Sequence, residues 1–437
     1  MLKQLYFFLV CLLWTTVNAS RFDVEHALVL YDPELLPLND TSSLTPEVAQ
    51  FIEYLSDKFD VKISDYNSED INLFFDDYPR YEHLVLFPSS KKTITSKEAL
   101  SLHNLLRFIN ENSNIFVVGG SQSVLPDGLR GFLNELGVFP SPKNYKYIDH
   151  FNSKNGVVQL NRDNVVEGNR LVEELSVTKY DGNAALISNN ELIFPIVRSS
   201  ATGYTNKVGE PIDADKTWTF GEQGYLAVGF EALNNARLVW VGSNSLLAEP
   251  QLYKWCFQQQ GKLKLQFVEH IKADEPSKPN PHLYRIKDQA IYTIGVSEFV
   301  DGKWIPFEVK DEKDQLQLSF KMLDPYQRLN LKPLGPVSAI SNSTELDTYA
   351  YFVNFTVPDH HGMFTFELDY KRPGLSYLVD KRVVTVRHLA NDEFKRSWDI
   401  SNSWLYVASA VFVIIAWFVF VVSYIYIGKS NYSKKNV

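Results

Sequence analysis

The run WLYVASAVFVIIAWFVFVVSYIYI, from Trp404 to Ile427, contains no charged residue. At a rise of about 1.5 Å per residue, a helix of this length crosses the ~30 Å hydrocarbon core of a bilayer. Trp404, Tyr406, Tyr424 and Tyr426 lie near its ends, where amphipathic rings favour the membrane–water interface. Uninterrupted apolarity all round, at the C-terminal end of the sequence, argues against a buried core helix. The run therefore reads as a transmembrane helix over 404–427. It leaves a large domain region before it and a short tail, GKSNYSKKNV, over 428–437.

Which side each part occupies depends on the other end. MLKQLYFFLVCLLWTTVNAS places Lys3 before a short apolar stretch, Leu5 to Trp14, with small Val17 and Ala19 at −3 and −1 of a cut. This is the pattern of a secretory signal peptide, 1–19, and the stretch is too short for a span. The chain is then expected to be single-pass type I, with its bulk in the lumen and a cytoplasmic tail. Flanking charge does not decide the orientation: Lys429, Lys434 and Lys435 stand against Arg387, Lys395 and Arg396. The first hydrophobic segment usually dominates.

The 437 residues are 45% hydrophobic and 22% charged, a globular balance that predicts two or three domains. A formal net charge of −9 without a basic block argues against nucleic acid as a partner. There are two cysteines. Cys11 leaves with the signal peptide, and Cys256 has no partner left for an internal disulfide. Cys256, within LYKWCFQQQ, is expected to be buried filler.

From residue 20 to 270 strand and helix patterns alternate. HALVLYD, DVKISD, HLVLFPS and NIFVVGG read as strands, the third almost wholly apolar as buried parallel strands are. LTPEVAQFIEYLSDKF, capped by Thr45 with Pro46 first, TSKEALSLHNLLRFINEN, opened by Thr95, and LPDGLRGFLNELG, stopped by Gly137, read as helices. This alternation predicts a doubly wound parallel sheet. Asn234–Asn235 separates two β-rich runs as a hairpin, and EPQLYKWCFQQQ reads as a closing helix. The Pro/Lys-rich 271–282 reads as a linker. Short alternating strands then fill 283–390, an all-β sandwich-like domain, with a membrane-proximal segment over 391–403.

Catalytic signals are weak. VVGGSQS places Ser121 on a glycine-rich strand-to-helix turn, yet matches no phosphate-binding or nucleophile motif. His360 and His361 are adjacent in DHHG, an arrangement that rarely shares a metal. SEDINLFFDDYP lacks EF-hand spacing. No catalytic, cofactor-binding or metal-ligating residue is assigned. Sequons occur at Asn39, Asn342 and Asn354 before the span and at Asn431 in the tail, so the first three are the N-glycosylation candidates. Lys434 and Lys435, four and three places from the end, have the form of a dilysine ER-retrieval signal on a cytosolic tail.

RHLANDEFKRSWDISNSWLY, GFEALNNARLVWVGS, FLNELGVFPSPK and PDHHGMFTFELDYKRPGLS closely resemble the family of non-catalytic 48 kDa subunits of dolichyl-diphosphooligosaccharide–protein glycosyltransferase, the beta subunit of the fungal oligosaccharyltransferase complex. The resemblance runs over essentially the whole chain. It implies an accessory subunit, no enzyme by itself, in the endoplasmic reticulum membrane. The complex it implies transfers a dolichol-linked glycan to Asn of Asn-X-Ser/Thr in nascent proteins. The implied partners are a catalytic multispanning subunit, a ribophorin-II-like subunit and a small defender-against-death-type subunit, with no cofactor of its own. The first half is also similar to a Rossmann-like, glutamine-amidotransferase-like layer, but the turn reads GGSQS where that chemistry needs a cysteine. The alternative is a lumenal glycan-binding module that recruits or senses the lipid-linked oligosaccharide.

Overall fold

A computed structural model describes residues 25–426 apart from 39–43, 69–70, 76, 95–97, 122, 155, 310–312, 341–345 and 395–401. The predicted signal peptide, the tail with Lys434 and Lys435, and the sequons at Asn39, Asn342 and Asn431 lie outside the described residues.

The first unit is built on β1 (His26–Tyr31), β2 (Asp60–Asp65), β3 (His83–Leu86), β4 (Asn114–Val118), β5 (Val138–Pro140), β6 (Ala185–Ile187), β7 (Ile193–Arg198), β8 (Tyr225–Glu231) and β9 (Arg237–Val241). They form one sheet in the order β2-β1-β3-β4-β9-β8-β6-β5, with β7 also on β8. The pairs from β2 through β9 are parallel, and those beyond β9 are antiparallel. The helices are α1 (Pro46–Lys58), α2 (Leu102–Asn110), α3 (Asp127–Leu136) and α4 (Pro250–Cys256).

Alternation along β1 explains the two cores. Ala27, Val29 and Tyr31 face α1 and α4, packing with Val48, Phe51, Leu55 and Leu252. Leu28 and Leu30 face α2 and α3, packing with Leu105, Phe108, Leu129 and Phe132. With both faces covered, β1, β3, β4 and β9 read as near-continuous apolar runs. Gly137, at φ +93°, ends α3 in the left-handed conformation expected of a glycine stop.

One expectation needs correction. The helix assigned to start at Thr95 begins at Leu102, with Ser101 as its cap accepting the Asn104 N–H at 3.4 Å. The backbone carbonyl of Leu100 is pressed against Gly128 of α3, where an added Cβ would sit 2.1 Å away. Residues 98–100 form a separate turn, closed by Ser101 N on the Glu98 carbonyl at 3.4 Å, and the extended Ser101 backbone sets it apart from the helix. The junction is continuous in strand pairing: strand β10 (Lys262–Lys272), at the end of the expected α/β domain, pairs antiparallel with β12 (Gln289–Val300) of the second unit.

The second unit is a two-sheet sandwich. One sheet runs β10-β12-β17-β16, with β13 also on β12, where β13 is Lys303–Pro306, β16 Lys332–Val337 and β17 Thr348–Thr356. The other runs β11-β19-β18-β14-β15, where β11 is Leu283–Arg285, β14 Gln317–Lys321, β15 Pro325–Asn330, β18 Gly362–Arg372 and β19 Leu375–Arg387. Inward residues such as Tyr292, Ile294, Phe320, Phe355 and Phe366 interdigitate between them. The last helix, α5 (Ser403–Tyr426), has no buried residue.

Register fixes which end of the sandwich does what. Residues 372–375 turn from β18 to β19 at the end that touches the first unit, where Trp255 Nε1 donates to the Gly374 carbonyl at 2.9 Å. Strand β19 then runs to Arg387 at the opposite end, paired there through Val386 to Gly362, and the chain leaves toward α5. At ~3.3 Å per residue, β19 spans about 40 Å between the two ends.

Candidate functional site

In open parallel sheets, ligands settle at the carboxyl ends of the strands, where the strand order reverses. Here that place lies between β1 and β3. Asp32, just past β1, is 5% exposed. Its carboxylate accepts from Ser90 N at 2.8 Å, Ser90 Oγ at 2.6 Å, Ser89 Oγ at 3.3 Å and Glu34 N at 3.0 Å. Burial opposes ionisation of Asp32, but these donors, Ser90 foremost, outweigh it and hold the carboxyl below its usual range. Lys91 closes the rim with Glu34 at 3.0 Å. The crevice is thus occupied by the chain's own donors.

The glycine-rich turn beside it has a structural explanation. Gly119 N donates to the Val241 carbonyl, and the Gly120 carbonyl accepts from Ser123 Oγ at 2.8 Å and Asn183 Nδ2 at 3.4 Å. A Cβ on Gly119 would meet Asn183 Oδ1 at 3.0 Å. The glycines admit Asn183 and the Gly182–Asn183 backbone, which closes on Gly242. Among the described residues no histidine or carboxylate is hydrogen-bonded to Ser121. His360 and His361 diverge: the first rests against Tyr326, the second against His388. Cys256 is fully buried with its thiol against the Ile115 carbonyl at 3.3 Å, and burial raises its pKa far above the ordinary thiol range.

The amino ends of the same strands carry the densest polar construction, and it joins the two units. Arg237 opens β9 and is 0% exposed. Its guanidinium donates to Glu231 Oε1 at 3.1 Å, the Trp255 carbonyl at 2.9 Å, the Gln260 carbonyl at 2.7 Å, the Gly261 carbonyl at 2.7 Å and Ser376 Oγ at 2.9 Å. It also stacks 4.7 Å from the Trp255 ring. Five planar donor bonds are therefore spent on the end of β8, the end of α4, the chain crossing between units, and β19. Burial pushes the Glu231 carboxyl up while Arg237 pulls it down, so the pair is held by geometry against desolvation. Around it, Asn235 Oδ1 accepts from Tyr377 N at 2.7 Å, and Asp314 accepts from Arg170 at 2.7 Å, Arg372 at 2.7 Å and Tyr370 at 2.8 Å.

At the opposite end of β19 a second clamp precedes the span. Arg387 donates two parallel bonds to Glu393, both 2.7 Å, Ala390 N adds a third at 2.8 Å, and Arg285 lies 3.0 Å away. Hydrogen bonds from Arg387 and Ala390 hold the Glu393 carboxyl down at about 2. The chain is thereby folded back onto the sandwich for six residues beyond β19.

Of the sequence-predicted site residues, Asn354 is described, on β17, and its side chain is exposed on the outer face while Val353 and Phe355 enter the core. Neither clamp was anticipated. The signal for the first was available: Glu231 and Arg237 sit at the facing ends of two apolar runs flanking Asn234–Asn235, and hairpin register pairs them.

Comparison with known proteins agrees with this architecture. Residues 18–273 match the OST48 N-terminal domain and residues 270–428 the OST48 middle domain. The chain is 34% identical over 416 residues to the dolichyl-diphosphooligosaccharide–protein glycosyltransferase subunit WBP1 of Saccharomyces cerevisiae, covering 92% of this chain and 91% of that one. It is 31% identical over 374 residues to the subunit wbp1 of Schizosaccharomyces pombe, covering 79% and 82%. It is 25% identical over 442 residues to the 48 kDa subunit of the same enzyme in Drosophila melanogaster, covering 91% and 93%. With both domain families matched in order along the chain, the protein belongs to the OST48 family.

Proposed function

We propose that the protein is a non-catalytic, structural subunit of the oligosaccharyltransferase complex of the endoplasmic reticulum membrane. It supports transfer of the dolichol-linked glycan to Asn of Asn-X-Ser/Thr in nascent proteins. The observation that carries this is the match to the yeast subunit over 92% of this chain and 91% of that one. The self-filled crevice at Asp32 and the two clamps suit a protein whose work is to hold shape.

The finer reading is a signal peptide over 1–19, a lumenal bulk, a single type I span over 404–427 and a cytoplasmic tail carrying Lys434 and Lys435. The first unit is read as Rossmann-like from its parallel β2-β1-β3-β4 order. Partners are other subunits of the complex: the multispanning catalytic one, a ribophorin-II-like one and a small defender-against-death-type one. Asn39, Asn342 and Asn354 are the glycan acceptors, and exposure of Asn354 supports its use. Depletion of the protein tests the main reading. A nascent glycoprotein reporter should lose glycans within one generation, and unchanged reporter occupancy refutes it.

One observation favours the second reading, a glycan-binding module. A cleft of about 440 Å³ opens between the units, lined by Arg170, Glu173, Gln260, Phe307 and Glu308 among others. Titrating the purified complex with the donor oligosaccharide decides it; no change in Arg170 or Glu308 environment at millimolar ligand removes this reading.

A further inference from the structure

The sandwich end from which the chain leaves is unusually apolar. Register gathers it from four places. Lys321 of β14 pairs with Thr365, which puts the β14–β15 turn at the same end as Gly362 and Arg387. Leu323, at that turn, is 90% exposed, and Tyr326 beside it is 46% exposed. Met363 on β18 is 58% exposed and Leu283 on β11 is 43% exposed, and both pair with Thr385 of β19. Met322 anchors the turn: its Cε would lie 2.8 Å from a Cβ on Gly362. The Tyr326 ring rests on Phe364 and His360. The turn is therefore held in place, and its largest apolar side chain still points into solvent.

The length of the tether says what lies opposite. Glu393 is clamped to Arg387 and Arg285, and nine residues, 394–402, separate it from α5. Fully extended, a stretch of that length reaches roughly 30 Å. The apolar end is consequently held within roughly 30 Å of the first turn of α5, and the far end of β19, which carries the first unit, can lie a further ~40 Å off.

We propose that this end of the sandwich rests on the lipid surface, with Leu323 and Tyr326 seated in the headgroup region and Met363 and Leu283 flanking them. This rests on the reading of Ser403–Tyr426 as a membrane span. The two ends of the sandwich then have separate tasks: one seats on lipid and the other carries the first unit. Lys287, paired with Asp359 at 2.7 Å, and Arg285 and Arg387, both paired with Glu393, lie at the same end.

The test uses the assembled complex in vesicles containing brominated phospholipid. Leu323→Cys carries an environment-sensitive fluorophore, and Val379→Cys, 50% exposed and about 26 Å back along β19, is the control. Cys256 is buried and stays unlabelled in folded protein. Bromolipid should quench the label at 323 at least threefold more than that at 379, and aqueous iodide should show the reverse. Equal quenching at both sites by either agent overturns the proposal. So does protection of 323 from both agents, which would put a protein partner there instead. Carbonate extraction separates the premises. Release of the chain from membranes refutes the span itself; retention with equal quenching refutes only the lipid contact.

Discussion

Replacing Arg237 with methionine removes the guanidinium that five acceptors share, at a site with no solvent. Two terms set the cost. Glu231 is left buried without its counter-charge, worth about 3–5 kcal/mol. The carbonyls of Trp255, Gln260 and Gly261 lose their donor, adding ~1–3 kcal/mol after local relaxation. The expected loss is about 4–8 kcal/mol, a large part of the ~5–15 kcal/mol that a domain has. Burial raises the Glu231 carboxyl, and more so without Arg237. A carboxyl whose folded pKa exceeds the unfolded value of about 4.3 holds an extra proton in the native state. That stability is present below pH 4.3 and is lost as pH rises through the folded value, so the variant is worse at pH 8 than at pH 5. Pulsed thiol labelling of Cys256, which adjoins Trp255 in α4 and is 0% exposed, reads the opening. A 4 kcal/mol loss raises the labelled fraction about 10³-fold. Adding Glu231→Gln to Arg237→Met should recover about 2–3 kcal/mol, since the stranded charge is gone but the orphaned carbonyls remain. Labelling within threefold of the parent protein, or a double variant no better than the single, refutes the clamp.

Three further outcomes are expected. Gly242→Ala places a Cβ 2.1 Å from the Asn183 carbonyl and 2.3 Å from Tyr180 Oη, so it should cost at least ~2 kcal/mol in thermal unfolding. Glu393→Gln should speed amide exchange over 388–394 at neutral pH. In the parent protein the same release should appear only in acid, because a carboxyl held at about 2 keeps its contribution above pH 4.3 and loses it as pH falls through about 2. Asn354→Gln should remove one endoglycosidase-sensitive step in gel mobility, and an unchanged ladder would show that this sequon is unused.

The two units were legible for different reasons. In the first, apolar runs buried on both faces and amphipathic helices with Pro46 and Gly137 at their ends announce themselves locally. Strand β10 did not. KLKLQFVEHIK alternates, but lysines fill its outer positions and it runs into a Pro/Lys-rich stretch. Its partner β12 begins beyond that stretch, so no local signal assigns it to the sandwich. The start of α2 was misplaced because Thr95 and Ser101 are both good caps, and only the separate turn over 98–100 and the extended Ser101 backbone decide between them. The polar sites divide in the same way. Asn354 could be read from its motif and its alternation. Arg237 and Glu393 gain their meaning from partners distant in the chain, the Gly261 carbonyl and Ser376 for the first and the Arg285 guanidinium for the second.

A buried ion pair is an odd choice for a junction if stability were the only demand, since well-packed apolar residues often do better. Its value here lies in direction. Apolar contacts alone would let the sandwich turn slide on α4 with little change in buried area. A planar guanidinium that must meet the Gln260 and Gly261 carbonyls, Ser376 and Glu231 together has one satisfactory arrangement. With the units so fixed, and with Glu393 folding the exit segment back at the other end, the ~40 Å of β19 acts as a spacer of set length and orientation. Both clamps thus fix how the first unit and the exit segment sit on the sandwich. Loosening the second clamp should therefore disturb assembly before it unfolds the chain. Glu393→Gln makes the cleaner test, because its cost lies in orientation: loss of co-purifying subunits with an unchanged melting temperature supports this reasoning, and full assembly with a freed 388–394 segment defeats it.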